Sequence, residues 1–159
     1  MGARLSAVRV NPPWTGPTTQ SRGTFSIAGS GPRLPSAMWR KAQENLEAAR
    51  ALLDLDEACS NAATSRAYYA AYLACWTLMV DRGHQPPTSK RGTYFSHKEL
   101  PEQAQSAGVL DEDEREQLEF LEGQRVLADY YQEDVTATVA HECLGSAEKI
   151  VARLTEAGP

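Results

Sequence analysis

The run NAATSRAYYAAYLACWTLM, residues 61 to 79, leaves the chain few architectures to choose from. Tyr69, Leu73, Trp76 and Val80 recur at steps of four and three, and Tyr68, Tyr72, Cys75 and Met79 do the same one position earlier. Two apolar stripes at the helical period on one segment predict a helix buried on more than one side. We place it from about Glu57 to Asp81, ended by Gly83, with Pro86 and Pro87 as stop signals beyond. A helix of this kind needs several partners.

Three further segments supply them. Trp39, Ala42, Leu46, Ala49 and Leu53 form one apolar stripe from Met38 to about Leu55, with Ser36 as a candidate N-cap. Asp111 opens another helix with acidic residues in its first turn, where the helix dipole favours them, and this helix runs to about Gln132. The last is capped near Thr136 and puts Val139, Cys143, Ala147, Ile150 or Val151, and Leu154 on one face. Residues 84 to 110 form a long connection with a short helical turn near Leu100 to Ser106, and loops of that length are usually functional or mobile. With no strand signal, the fold class expected is all-α: an antiparallel four-helix up-and-down bundle with a long loop between the second and third helices.

A chain of 159 residues suits one domain with a real core, and we set that domain at residues 38–156. Residues 1–37 are crowded with Pro, Gly, Ser and Thr and lack an apolar period, so the expectation is a disordered leader or an upstream start ahead of Met38. An acid-free leader with four arginines also has a weak likeness to an organellar transit peptide. The rest of the chain holds 12 basic residues against all 21 acidic ones, a net −9. An acidic body argues against a broad electrostatic grip on nucleic acid, so DNA is not an expected partner and any RNA contact must be local. No apolar run approaches the roughly 18 to 20 residues of a membrane helix, and no membrane partner is expected. Cys59, Cys75 and Cys143 are odd in number and far apart, which fits reduced, buried thiols and a cytoplasmic location. They make no metal-ligand spacing with His84, His97 or His141, and no cofactor or metal is expected.

The chemistry concentrates on two arginines. Arg66 sits at the centre of the alanine-rich helix, and Arg125 follows Leu118 and Leu121 and precedes Ala128 at steps of three, four and three. Each takes a slot where a core residue is expected. A buried guanidinium is costly unless paired and hydrogen-bonded, so the pair signals either structural ion pairs or a site that holds an anion. Asp129, one turn after Arg125, is the natural partner, and we expect Arg66, Arg125 and Asp129 to form one polar cluster with spare positive charge. Tyr69 and the loop residue His97, beside Lys98 and Arg91, complete the candidate binding set. His97 is read either as an exposed loop residue or as one that approaches the end of the bundle where Arg125 lies. His84 and His141 read as a helix-end and a solvent-facing residue.

WRKAQENLEAARALL, NAATSRAYYAAYLACWTLM, SHKEL and RVLADYY together resemble the HEPN superfamily, in particular its small stand-alone prokaryotic members, over residues 38 to about 156. The resemblance implies a four-helix bundle, usually a homodimer, often encoded beside a minimal nucleotidyltransferase in toxin-antitoxin or defence systems. It also implies, for many relatives, metal-independent RNA cleavage by an arginine and a histidine four to six residues apart. Arg125 matches the arginine. Tyr130, Tyr131 and Gln132 stand where the histidine belongs, and tyrosine, with a reference pKa of about 10, is a poor base at neutral pH. The leading expectation is a dimeric protein that binds RNA, a nucleotide or a partner nucleotidyltransferase without robust catalysis. One alternative is a ribonuclease toxin whose catalytic set is Arg125, Asp129 and Tyr130; another is an interaction bundle whose arginines are core ion pairs.

Overall fold

The computed structural model describes residues 37–55, 59–90 and 92–158. The expected leader (Ala37 apart), the Ser36 cap and Arg91 lie outside the described residues. Five helices form among those that are described: α1 Ala37–Leu53, α2 Ser60–Asp81, α3 Leu100–Ser106, α4 Glu112–Tyr130 and α5 Ala137–Glu156. Four are long, as the periodicities predict, and α3 is the short turn expected in the long connection. The connection also contains an antiparallel pair of two-residue strands, β1 Thr88–Ser89 and β2 Gly92–Thr93. The sequence carries no signal for it, because a two-residue pair has no room for an alternating pattern. No described helix is long and apolar enough to cross a membrane.

α2 is the hub. It packs against α1, α4 and α5, while α5 also touches α1 and α4, so α2 and α5 form the diagonal between α1 and α4. The alanines explain how one helix meets so many neighbours: Ala63, Ala67, Ala70, Ala71 and Ala74 are all buried and let other backbones approach closely. The stripe Tyr68, Tyr72, Cys75, Met79 is buried, and Tyr69, Leu73, Trp76 and Val80 are half-buried and packed against the same core. From the other helices come Ala42, Leu46 and Ala49, then Leu118 and Leu121, then Cys143, Ala147, Ile150 and Leu154. Full burial of each leucine or isoleucine contributes about 1.5–3 kcal/mol relative to exposure.

Helix ends are fixed by local chemistry. Asp111 accepts from the Glu114 backbone N–H, and the Glu114 carboxylate accepts from the Asp111 N–H, a reciprocal capping box of the kind that stabilises a helix start by about 1 kcal/mol. Glu114 also takes the Arg153 guanidinium from α5, which in turn donates to the Val109 carbonyl, so one ion pair joins α4, α5 and the segment before α4. Just past the end of α2, Gly83 turns the chain with a φ of 89° that suits glycine, and the His84 and Gly83 N–H groups donate back to the Met79 and Val80 carbonyls. The expectation of buried thiols needs one correction: Cys75 and Cys143 are buried, but Cys59, just before α2, is exposed. It precedes the helix rather than lying on one of its packed stripes.

Candidate functional site

Arg125 is the one charged side chain among the buried residues described, at 6% exposure. α4 puts it there because it continues the stripe of Leu118 and Leu121, both fully buried. Its guanidinium lies over three rings, 5.3 Å from the centroid of Tyr68, 5.8 Å from Tyr69 and 5.7 Å from Tyr130. Such cation–π contacts are each worth about 0.5–2 kcal/mol depending on desolvation. Conventional partners are sparse. One terminal nitrogen donates to the Tyr130 hydroxyl at 3.5 Å and stands 3.7 Å from Asp129 Oδ2, and the buried Nε has no hydrogen-bond partner among the described residues. Burial works against the charged form of Arg125, but Tyr69, Tyr68, Tyr130 and Asp129 outweigh it and move its pKa upward. The cation is retained in a largely aromatic setting.

Asp129 faces two ways. Its Oδ1 accepts a 2.5 Å hydrogen bond from the Ser65 hydroxyl of α2, which leaves Oδ2 for the distant Arg125. The same carboxylate lines a groove of about 330 Å³ between α2 and the end of α4, together with Asn61, Ser65, Arg66 and Tyr69. Asn61 anchors the edge of this groove: its amide donates to Asp134 at 2.7 Å and accepts from the Val135 N–H at 2.8 Å, which ties the α4–α5 connection to the first turn of α2.

Arg66 is not where the sequence reading puts it. It is exposed, on the outward stripe of α2 with Ala62, and it donates to Asn45 of α1 at 3.2 Å. The alanine-rich run conceals this, because small apolar residues populate both the packed and the outward side of α2. Arg66 and Asp129 still meet at one groove, but Arg66 is a rim residue, whereas Arg125 is a core one.

His97 reaches the site from the long connection. Its Nδ1 shares a 2.6 Å hydrogen bond with the Tyr68 hydroxyl, and its ring sits 4.4 Å from that of Tyr72 and 6.0 Å from that of Tyr69. It is half-buried rather than an exposed loop residue. Phe95, 2% exposed, explains why: it packs edge-on against Trp76, and the Tyr72 hydroxyl donates to its carbonyl at 2.7 Å, so the segment is pinned along α2. His84 and His141 are both exposed, and Nδ1 of His141 is 2.8 Å from the Ala137 carbonyl oxygen of its own helix. Tyr130 and Tyr131 are exposed, at 73% and 62%.

The family model for the HEPN domain matches residues 36–157. The chain belongs to the HEPN family. A comparison with curated proteins gave no match. In this HEPN domain the imidazole associated with the buried arginine through Tyr68 comes from the loop before α3, since α4 ends in Tyr130 and carries none. Three members of the constellation, Tyr68, Ser65 and Asn61, escape the sequence reading of the site. Tyr68 reads as core, which it is, and its hydroxyl alone links it to His97. Asn61 and Ser65 do carry a signal: polar residues four apart in an alanine run, on the side that leads to Tyr69.

Burial, and next the Arg125 charge, push the His97 pKa below its ordinary 6.5, with Glu122 in partial opposition. The groups around it are Tyr68, Tyr69 and Tyr72 from α2 and Arg125 and Glu122 from α4. A depressed base takes up its proton more readily in the unfolded chain, so its contribution to stability is present above pH 6.5 and is lost as pH falls from there through the lower folded value. Chemical denaturation at pH 7.5 and pH 5.0 should therefore show a larger drop for the wild type than for His97→Gln. Equal drops would mean that His97 titrates as a free imidazole.

Proposed function

We propose that this HEPN protein binds a phosphate-bearing ligand, a nucleotide or a segment of RNA, at the groove between α2 and α4. The observation that carries the reading is a guanidinium on the groove, Arg66, beside a buried one, Arg125, whose Nε has no hydrogen-bond partner among the described residues and whose ion-pair carboxylate is 3.7 Å away and already engaged by Ser65. A purely structural arginine in a core would be expected to satisfy its donors, because an unmet buried donor costs about 1–3 kcal/mol. Arg66 is the solvent-accessible cation that lines the groove, and Arg125 bears on it through Asp129, which lines it too and stands 3.7 Å away. Guanidinium groups suit phosphate through charge-assisted hydrogen bonds. Dimerisation and pairing with a minimal nucleotidyltransferase, in a toxin-antitoxin or defence setting, belong to the same proposal and follow from the family resemblance alone.

The proposed role is binding without robust catalysis, since α4 offers no histidine after Arg125. A second reading, a metal-independent ribonuclease, has one observation in its favour: His97 is held beside Tyr68 and pushed toward the neutral form, a suitable state for a base near pH 7. In that reading Arg125, Asp129 and Tyr130 work with a loop-borne imidazole, and a time course with a labelled RNA separates it from binding alone.

Fluorescence anisotropy with a short 5′-phosphorylated RNA tests the main reading. Wild-type protein should bind, and Arg66→Ala, an exposed change that leaves the fold within about 0.5 kcal/mol, should weaken binding roughly tenfold. Absence of wild-type binding at high micromolar protein would remove the proposal.

A further inference from the structure

The composition of the groove restricts its ligand further than the word nucleotide does. A carboxylate, Asp129, and a guanidinium, Arg66, line the same space. A phosphate placed at Asp129 would be repelled, so an occupant has to present its anion to Arg66 and a hydrogen-bond donor edge to Asp129. We propose that the groove is a nucleobase pocket selective for guanine, a deduction that depends on the nucleotide-binding reading above.

The carboxylate is an acceptor only, with two oxygens and spare lone pairs on each. Ser65 donates to Oδ1 at 2.5 Å and Arg125 stands at 3.7 Å from Oδ2, contacts that fix its orientation and leave capacity on both oxygens. Guanine matches this: N1–H and the exocyclic N2–H are adjacent donors that reach the two oxygens together. Adenine and cytosine offer one amino group beside a ring nitrogen acceptor, which would face the carboxylate unfavourably. Uracil offers a single N–H between two carbonyl oxygens. Asn61 takes no part in the readout, because both ends of its amide are committed to Asp134 and Val135. The half-buried Tyr69 ring lines the groove and gives a base a face on which to stack. A volume of about 330 Å³ lies at the small end of ligand sites and suits a single nucleotide.

Calorimetric titration of the full chain with the 5′-monophosphates of guanosine, adenosine, cytidine and uridine tests the assignment. Guanosine monophosphate should bind roughly tenfold or more tighter than the other three, the scale of discrimination that a bidentate base contact provides. Asp129→Asn, which keeps an acceptor for Ser65 but turns one oxygen into a donor, should bring the four affinities together. Four equal wild-type affinities, or a guanine preference that survives in Asp129→Asn, would overturn the pocket while leaving nucleotide binding in place. Absence of binding by every nucleotide and by RNA would overturn both.

Discussion

Tyr68→Ala is expected to destabilise the protein by about 3–5 kcal/mol, the cost of removing a large aromatic ring from a core. Tyr68 is fully buried, and three separate features depend on it: the α2 stripe against the core, the cation–π contact with Arg125 at 5.3 Å, and the hydrogen bond that holds His97. Tyr68→Phe isolates the last of these. It keeps the ring, removes the hydroxyl, and leaves His97 Nδ1 without that partner, for an expected loss of about 1–2 kcal/mol. Burial, followed by the nearby Tyr72, raises the Tyr68 pKa, and Arg125 only partly opposes this, so the hydroxyl stays protonated and available across the physiological range. Guanidinium chloride denaturation of both variants measures the two losses. A loss below about 1 kcal/mol for Tyr68→Ala would show that the loop, the arginine and α2 are not joined through this ring.

What was legible in the sequence follows from the length scale of each signal. Four long helices each carry an apolar stripe over about three turns or more, so Trp39 to Leu53 or Cys143 to Leu154 can be placed within a few residues. Arg125 was legible for the same reason, because it interrupts a stripe of large residues, Leu118 and Leu121, whose side is unambiguous. The outward position of Arg66 is hidden in the sequence because alanine marks both sides of α2, and a periodicity argument needs contrast between sides. His97 was only half legible. Its capture depends on Phe95 and the Tyr72 and Tyr68 hydroxyls, contacts between segments 23 to 29 residues apart that no local pattern encodes. The groove is a property of two helices together, and Ser65 and Asp129, 64 residues apart, declare themselves only once α2 and α4 are side by side.

Arg125→Met is expected to destabilise the protein by about 1–3 kcal/mol, while weakening RNA or nucleotide binding roughly tenfold. The two halves follow from one arrangement. The tyrosines and Asp129 hold the Arg125 charge more strongly than burial opposes it, so an unbranched apolar side chain of similar length, filling the space among Tyr68 and Tyr69, forfeits three cation–π contacts and is spared only the unmet Nε. Removal of one partner usually strands the other. Here it does not, because the Asp129 side chain is 32% exposed and keeps its hydrogen bond from Ser65. The binding half rests on charge: Arg125 does not line the groove, but its guanidinium stands 3.7 Å from Asp129 and offsets that carboxylate, so methionine leaves the groove more negative toward an anionic ligand, by about 1 kcal/mol. Parallel denaturation and anisotropy measurements decide between a functional and a structural arginine. A loss of about 3–5 kcal/mol in stability with RNA affinity intact would assign Arg125 to the fold alone, whereas a smaller loss with weakened binding would make it a residue whose charge serves the ligand as well as the fold.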